Sequence, residues 1–305
     1  MSVTIVAAEA EARLDWMALT RALEGGHDLP RAEIGDTFLY RGDDTLLSRS
    51  AWIDGMGLLV KTATIFPGNA AIGAPSINGG VSLFSDTHGR LEAILDFHLV
   101  TKWKTAGDSL LAATKLAPRN TRTILIVGAG TVARSMREAY GAAFPGARFL
   151  VWNRSRDNAM RLASVFPDTE VAEDLAAAVG EADIITCATM STTPVIRGEW
   201  LRPGQHVDLI GAYRPDMREA DDEVLRRGRV FVDARHTTIG HIGEIAIPMA
   251  EGVIGEDDIL ADYYDLAGGA FARNAEDEIT VFKNGGGAHL DLMCARYILG
   301  AVQSD

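Results

Sequence analysis

The chain of 305 residues is long enough for two domains with separate cores, and its 47% apolar and 23% charged residues mark a folded globular sequence. A net charge of −13 argues against nucleic acid as a partner. Two cysteines, Cys187 and Cys294, are too few for a disulfide framework or a metal site; no apolar run reaches membrane-spanning length, and the N-terminus lacks a basic region followed by an apolar one. The expectation is therefore a cytoplasmic protein with no membrane partner.

In chain order, Val3 to Val6 reads as a short strand and Glu9 to Glu24 as a helix stopped by Gly25-Gly26. Leu39 to Trp52 alternates around a hairpin connection at Arg41-Gly42-Asp43-Asp44. Gly57 to Phe66 is a strand ended by Pro67-Gly68-Asn69, and Val81 to Ser85 and Leu91 to Asp96 are two more. These predict an antiparallel sheet with a flanking helix. Within it Lys61 shares a face with Leu59 and Ala63, and so points either to solvent, as an edge charge, or into a site.

Lys102 to Leu116 reads as a helix. Two cations at its start, Lys102 and Lys104, are unfavourable at a helix N-terminus, so they mark either a nearby anion or a solvated pair.

The most informative stretch is Thr123 to Arg154. An apolar β-branched run to Val127 is followed by Gly128, Gly130 and Ala133 at G-x-G-x-x-A spacing. A helical pattern from Thr131 and a second apolar run, Arg148 to Trp152, come next. This is a βαβ unit with a dinucleotide fingerprint: Gly128 for the tight turn, Gly130 for close approach of a pyrophosphate, Ala133 for helix–strand packing. The free N–H groups at Thr131 and Val132 face the phosphates. An acidic residue after the second strand would bind the ribose 2′-hydroxyl of NAD. Asn153-Arg154-Ser155 stands there instead, which suits a 2′-phosphate and favours NADP(H) over NAD(H).

Alternation of strands and helices continues to Phe282. Thr189 and Gly211-Ala212-Tyr213 fall at strand ends, where a cofactor crevice forms. Tyr213 reads as a proton donor or, more commonly, an aromatic wall. No histidine pair has metal-ligand spacing, and no metal is expected. The last helix, His289 to Val302, is expected to cross back to the first domain.

Together, VKTATIFPGN (Val60 to Asn69), TKWKTAGDSLLAA (Thr101 to Ala113), TILIVGAGTVA, NRS, ADIITCAT (Ala182 to Thr189), GAYRPDMREADDEVL (Gly211 to Leu225) and ITVFKNGGGAHLDL (Ile279 to Leu292) resemble the ornithine cyclodeaminase/μ-crystallin family. The resemblance implies an α/β fold: a Rossmann domain (118–287) inserted in an α+β sheet domain (1–117 plus 288–305) that forms a homodimer interface. It implies that Lys61 is the substrate-site lysine and that Arg31 holds the substrate carboxylate. Lys104 replaces an arginine of the family, and Ser76, Thr189 and Asn284 fall at cofactor positions. Tyr213 stands where cyclodeaminases carry a catalytic aspartate, which argues for hydride transfer to an imine. Arg49 departs from the family's Met-Pro dipeptide and reads as a surface arginine rather than one selecting a second acidic group. The expected activity is NAD(P)H-dependent reduction of a small cyclic imino acid of the Δ1-pyrroline-2-carboxylate type. A cyclodeaminase with bound NAD+, or a protein that only binds NADPH and a ligand, are the alternatives.

Overall fold

A computed structural model describes residues 3–303. The chain runs β1 (Thr4–Val6), α1 (Trp16–His27), β2 (Glu33–Arg41), β3 (Asp44–Ile53), β4 (Gly57–Ile65), β5 (Ile77–Phe84), β6 (Leu91–Asp96) and α2 (Phe97–Leu116). It continues with β7 (Thr123–Val127), α3 (Thr131–Ala143), β8 (Arg148–Trp152), α4 (Arg156–Val165), β9 (Thr169–Val171), α5 (Leu175–Glu181), β10 (Ile184–Cys187) and β11 (His206–Leu209). Then come α6 (Asp222–Arg227), β12 (Gly228–Val232), α7 (Arg235–Thr238), α8 (Gly243–Ala250), β13 (Ile259–Ala261), β14 (Ile279–Lys283) and α9 (Ala288–Gln303). The chain forms two compact units: one runs to Lys104 and resumes at Gly287, the other is Thr105–Gly286. The division falls inside the unbroken helix α2, upstream of the expected 117/118 boundary.

The first unit is built on a six-stranded sheet of order β1-β6-β5-β4-β3-β2. All neighbours are antiparallel except β1, which runs parallel to β6 and so departs from a purely antiparallel sheet. Alternation in β4 is complete: Gly57, Leu59, Lys61 and Ala63 are buried, and Leu58, Val60 and Thr62 are half-buried. That face is covered by α9, which packs on β3, β4, β5 and α1. The last helix thus returns to the first unit, as the sequence reading expects.

Three local expectations change. Gly25-Gly26 does not stop α1, which continues to His27. A Cβ on Gly26 would sit 2.6 Å from the Met293 sulfur, so this glycine permits close packing of α1 on α9. The segment before it splits into a 3-10 turn (Ala8–Arg13) and a helix capped by Asp15, which accepts from Ala18 N at 2.7 Å. Finally, α2 starts at Phe97, with Asp96 accepting from Leu99 N at 2.7 Å. Lys102 and Lys104 therefore lie beyond the first turn, and the helix-terminus argument for an anion does not apply to them. Lys102 pairs with Glu11 at 2.8 Å, whereas Lys104 is buried.

The second unit holds an eight-stranded, wholly parallel sheet of order β13-β12-β14-β11-β10-β7-β8-β9. Its central strands are buried on both faces, as their continuous apolar runs require. One buried carboxylate ties the layers together. Asp208 on β11 accepts from Ser109 Oγ (2.9 Å), Thr186 Oγ1 (2.7 Å) and Tyr140 Oη (3.1 Å), and burial pushes it up to about 6. Among the described residues no helix is long and apolar enough to cross a membrane.

Candidate active site

The second unit carries the dinucleotide cleft. Gly128 follows β7 with φ +113°, a conformation that excludes ordinary side chains, and a Cβ there would lie 2.6 Å from Ala188 O. Gly130 caps α3, and a Cβ on it would meet nothing within 4 Å, leaving room for a ligand against the helix N-terminus. Ala133 is fully buried in the packing of α3 on the sheet. The cleft, of about 390 Å³, is lined by Gly128, Gly130, Asn153, Arg154, Ser155 and Thr189, together with Asn158 and Met190. Thr131 and Val132 open α3 beside it, exposed, with first-turn N–H groups outside the helical ladder. Arg154 is exposed and has no ion-pair partner among the described residues, whereas Arg156 is paired with Glu173. The glycine cradle and the helix terminus fit a dinucleotide.

Besides Thr131 and Val132, two more of the expected cofactor residues are not part of this lining. Asn284 is buried at the end of β14, and its amide donates to Thr105 O (3.1 Å) and Ser109 Oγ (3.0 Å), tying that strand to α2. Ser76 belongs to the first unit, just before β5, where its carbonyl accepts from Phe66 N at 2.7 Å.

Beneath Thr189 lies a carboxylate absent from the sequence reading. Glu219 Oε1 accepts from Thr189 N (2.7 Å) and Thr189 Oγ1 (2.8 Å), and its Oε2 from Gly211 N (2.6 Å) and Ala212 N (3.3 Å). It thereby holds the loops after β10 and β11 together. Behind it, Glu244 accepts from Glu219 N (2.6 Å) and Ala220 N (3.0 Å), and burial pushes Glu244 up to about 7. The sequence predicts a helix over 219–226, so Glu219 reads as one acidic residue of its first turn, yet the helix begins at Asp222. Both oxygens of Glu219 take only donors, so Glu219→Gln must turn an NH2 toward backbone N–H groups in either orientation. We expect that variant to lose about 2–3 kcal/mol. The check is a urea midpoint; an unchanged midpoint would show that the network is dispensable.

Tyr213, on the loop after β11, is 58% exposed, with the Arg214 guanidinium 5.8 Å from its ring centroid.

The first unit carries a cluster of charge. β4 is a central strand, so Lys61 is not an edge charge. Its ammonium donates to Asp291 Oδ1 at 2.7 Å and lies 4.9 Å from the Phe97 ring centroid. Asp291 projects from the first turn of α9, fully buried, and its Oδ2 has no hydrogen-bond partner. Cross-strand register places Arg49 of β3 opposite Lys61, and Asp36 of β2 opposite Arg49. Arg49 Nη2 donates to Asp36 at 2.7 Å. Burial lowers the Lys61 ammonium, and Lys104 and Arg49 add to that against the pull of Asp291. Burial works to raise Asp291, but Lys61, Lys104 and Arg49 outweigh it and hold the carboxyl below its ordinary range.

Lys61 and Lys104 are thus brought together, and Arg49, read from sequence as a surface residue, joins them. Three cations against the side chains of Asp36 and Asp291 give the cluster a formal sum of +1. Arg31 is exposed and precedes β2, whereas Asp36 lies about 10 Å inside that strand. Asp291 carries no signal beyond its own charge, and Arg49 only its departure from the family's dipeptide, because the register and the docking of α9 that unite them span most of the chain.

The ornithine cyclodeaminase/mu-crystallin family model matches residues 53–305. The chain is 53% identical over 296 residues to a Δ1-pyrroline-2-carboxylate reductase of Paracoccus denitrificans, covering 95% of this chain and 94% of that protein. Among solved structures it is similar to the Thermococcus litoralis Δ1-pyrroline-2-carboxylate reductase in complex with NADH and L-proline. The TM-score is 0.89 at 25% identity, over 98% of this chain and 97% of that one. It is also similar to an archaeal alanine dehydrogenase dimer with bound NAD, with TM-score 0.90 at 26% identity, over 100% and 97% of the two chains. The family match spans more than half of the sequence, and the relatives align over nearly their full lengths: the chain belongs to the ornithine cyclodeaminase/mu-crystallin family.

Proposed function

We propose that the chain is an NAD(P)H-dependent reductase that converts a small cyclic imino acid of the Δ1-pyrroline-2-carboxylate type to the cyclic amino acid. The observation that carries this reading is the cluster of buried Lys61 and Lys104 with half-buried Arg49, whose surplus positive charge suits an anionic substrate group, in a chain with a dinucleotide cleft. The 53% identity to a reductase of that class supports it.

Reduced nicotinamide, when bound, supplies the hydride. The share of the protein is to bind and orient. Lys61 and Lys104, each under a tenth exposed, give a carboxylate a largely desolvated place, where attraction is worth more than in water. Asp291 fixes the Lys61 ammonium. A ketimine that arrives as the iminium accepts hydride without a dedicated acid.

Preference for NADP(H) is proposed on Arg154 and Ser155 in the cleft; the two similar structures hold NADH and NAD. A homodimer is proposed from the exposed apolar residues of the first unit, among them Leu39, Tyr40 and Trp52, and from the dimeric alanine dehydrogenase. Light scattering that returned a monomer mass would contradict it.

The activity is tested with a panel of cyclic imines and NADPH, following nicotinamide absorbance. Oxidation with a cyclic ketimine carboxylate is expected. Ammonia release from ornithine without added reductant would instead identify a cyclodeaminase.

A further inference from the structure

We infer that Arg49 binds the carboxylate of the substrate, the task that resemblance implies for Arg31. This rests on the imino-acid reading. Partners across adjacent antiparallel strands point to the same face, so Arg49 projects to the buried side beside Lys61. Its guanidinium is only part-used: Nη2 donates to Asp36, while Nε is buried with no hydrogen-bond partner. A buried charged donor without an acceptor is costly, and an incoming carboxylate removes that cost.

The other cations serve differently. The ammonium of Lys61 is committed to Asp291 at 2.7 Å, and Lys104 is a point charge. Arg49 alone in the cluster offers planar N–H geometry matched to a carboxylate, with Asp36 orienting it from the outer strand. Arg31 lies ahead of β2, on the far side of its first three residues from Asp36, so the register does not carry it to the row Asp36–Arg49–Lys61.

The test is binding of pyrrole-2-carboxylate, a planar five-ring carboxylate, to the dinucleotide-loaded protein by calorimetry, with pyrrole as the uncharged control. Wild type is expected to bind the carboxylate and not pyrrole. Arg49→Met should weaken the carboxylate by about 10- to 100-fold, and Arg49→Lys, which keeps the charge and guards against a folding defect, should restore part of it. Arg31→Met is the counterpart. If it, and neither Arg49 variant, produced the loss, the inference would be overturned, as it would if wild type did not bind the carboxylate. Normal binding with the expected Arg49 dependence, but no reduction of any cyclic imine, would refute the proposed reaction while leaving the assignment of Arg49 intact.

Discussion

Replacing Lys61 by Met is expected to reduce kcat/KM for a cyclic imino acid on the order of 100-fold, from loss of a charged contact, and to destabilise the protein at the same time. The reason for the second effect is Asp291, fully buried and paired with Lys61 at 2.7 Å. Removing one partner of a buried pair typically costs about 3–5 kcal/mol, because the other charge is left uncompensated. Lys104 and Arg49 also act on Asp291, so the loss should fall at the lower end of that range.

The two effects separate in the double variant Lys61→Met with Asp291→Leu. Replacing both charges with apolar side chains should restore most of the stability, since no lone buried charge remains, but none of the activity. A urea midpoint and kcat/KM on the same samples check this. Recovery of activity in the double variant would show that Lys61 serves packing rather than substrate. The pair also predicts an acid limb. Asp291 is held below its ordinary value, so its contribution is complete above about pH 4 and is lost as pH falls through the lower folded value. The double variant should lack that limb.

Arg154→Asp is expected to invert cofactor preference. An arginine–phosphate contact contributes about 1.5–3 kcal/mol, and an aspartate there repels a 2′-phosphate while accepting from a 2′-hydroxyl. The ratio of kcat/KM for NADPH to that for NADH should fall by about 100-fold or more. Arg154 lines the cleft without an ion-pair partner among the described residues, so the change removes no internal contact and the melting temperature should hold. An unchanged ratio would mean that the 2′-phosphate is read elsewhere, or not at all.

What was legible in the sequence follows from how local each feature is. The fingerprint from Gly128 to Arg154 is one contiguous βαβ unit, so spacing alone locates the turn and the helix terminus, and it points to Asn153, Arg154 and Ser155, which line the cleft. Alternation placed Lys61 on the face of Leu59 and Ala63, and the structure keeps it there. Alternation could not tell an edge strand from a central one, because strand order is a property of the whole sheet. Gly26 looked like a helix stop, since the contact that demands a glycine comes from Met293, far along the chain. Lys104 looked like a helix-start cation because Phe97 to Thr101 carries no strong helical signal, yet the cap at Asp96 begins the helix there. Glu219 and Asp291 are silent for the same reason, and Arg49 reads as a surface arginine: each acquires its place from residues on other strands and helices.

In the proposed reaction, hydride is delivered to the imine carbon of a cyclic imino acid. The most direct measurement incubates the purified chain with Δ1-pyrroline-2-carboxylate and NADPH or NADH carrying deuterium at both C4 positions, and analyses the product by mass spectrometry. The expected result is proline with one deuterium at Cα, formed in step with nicotinamide oxidation and without ammonia release. Absence of deuterium from Cα, or oxidation uncoupled from proline, would contradict it.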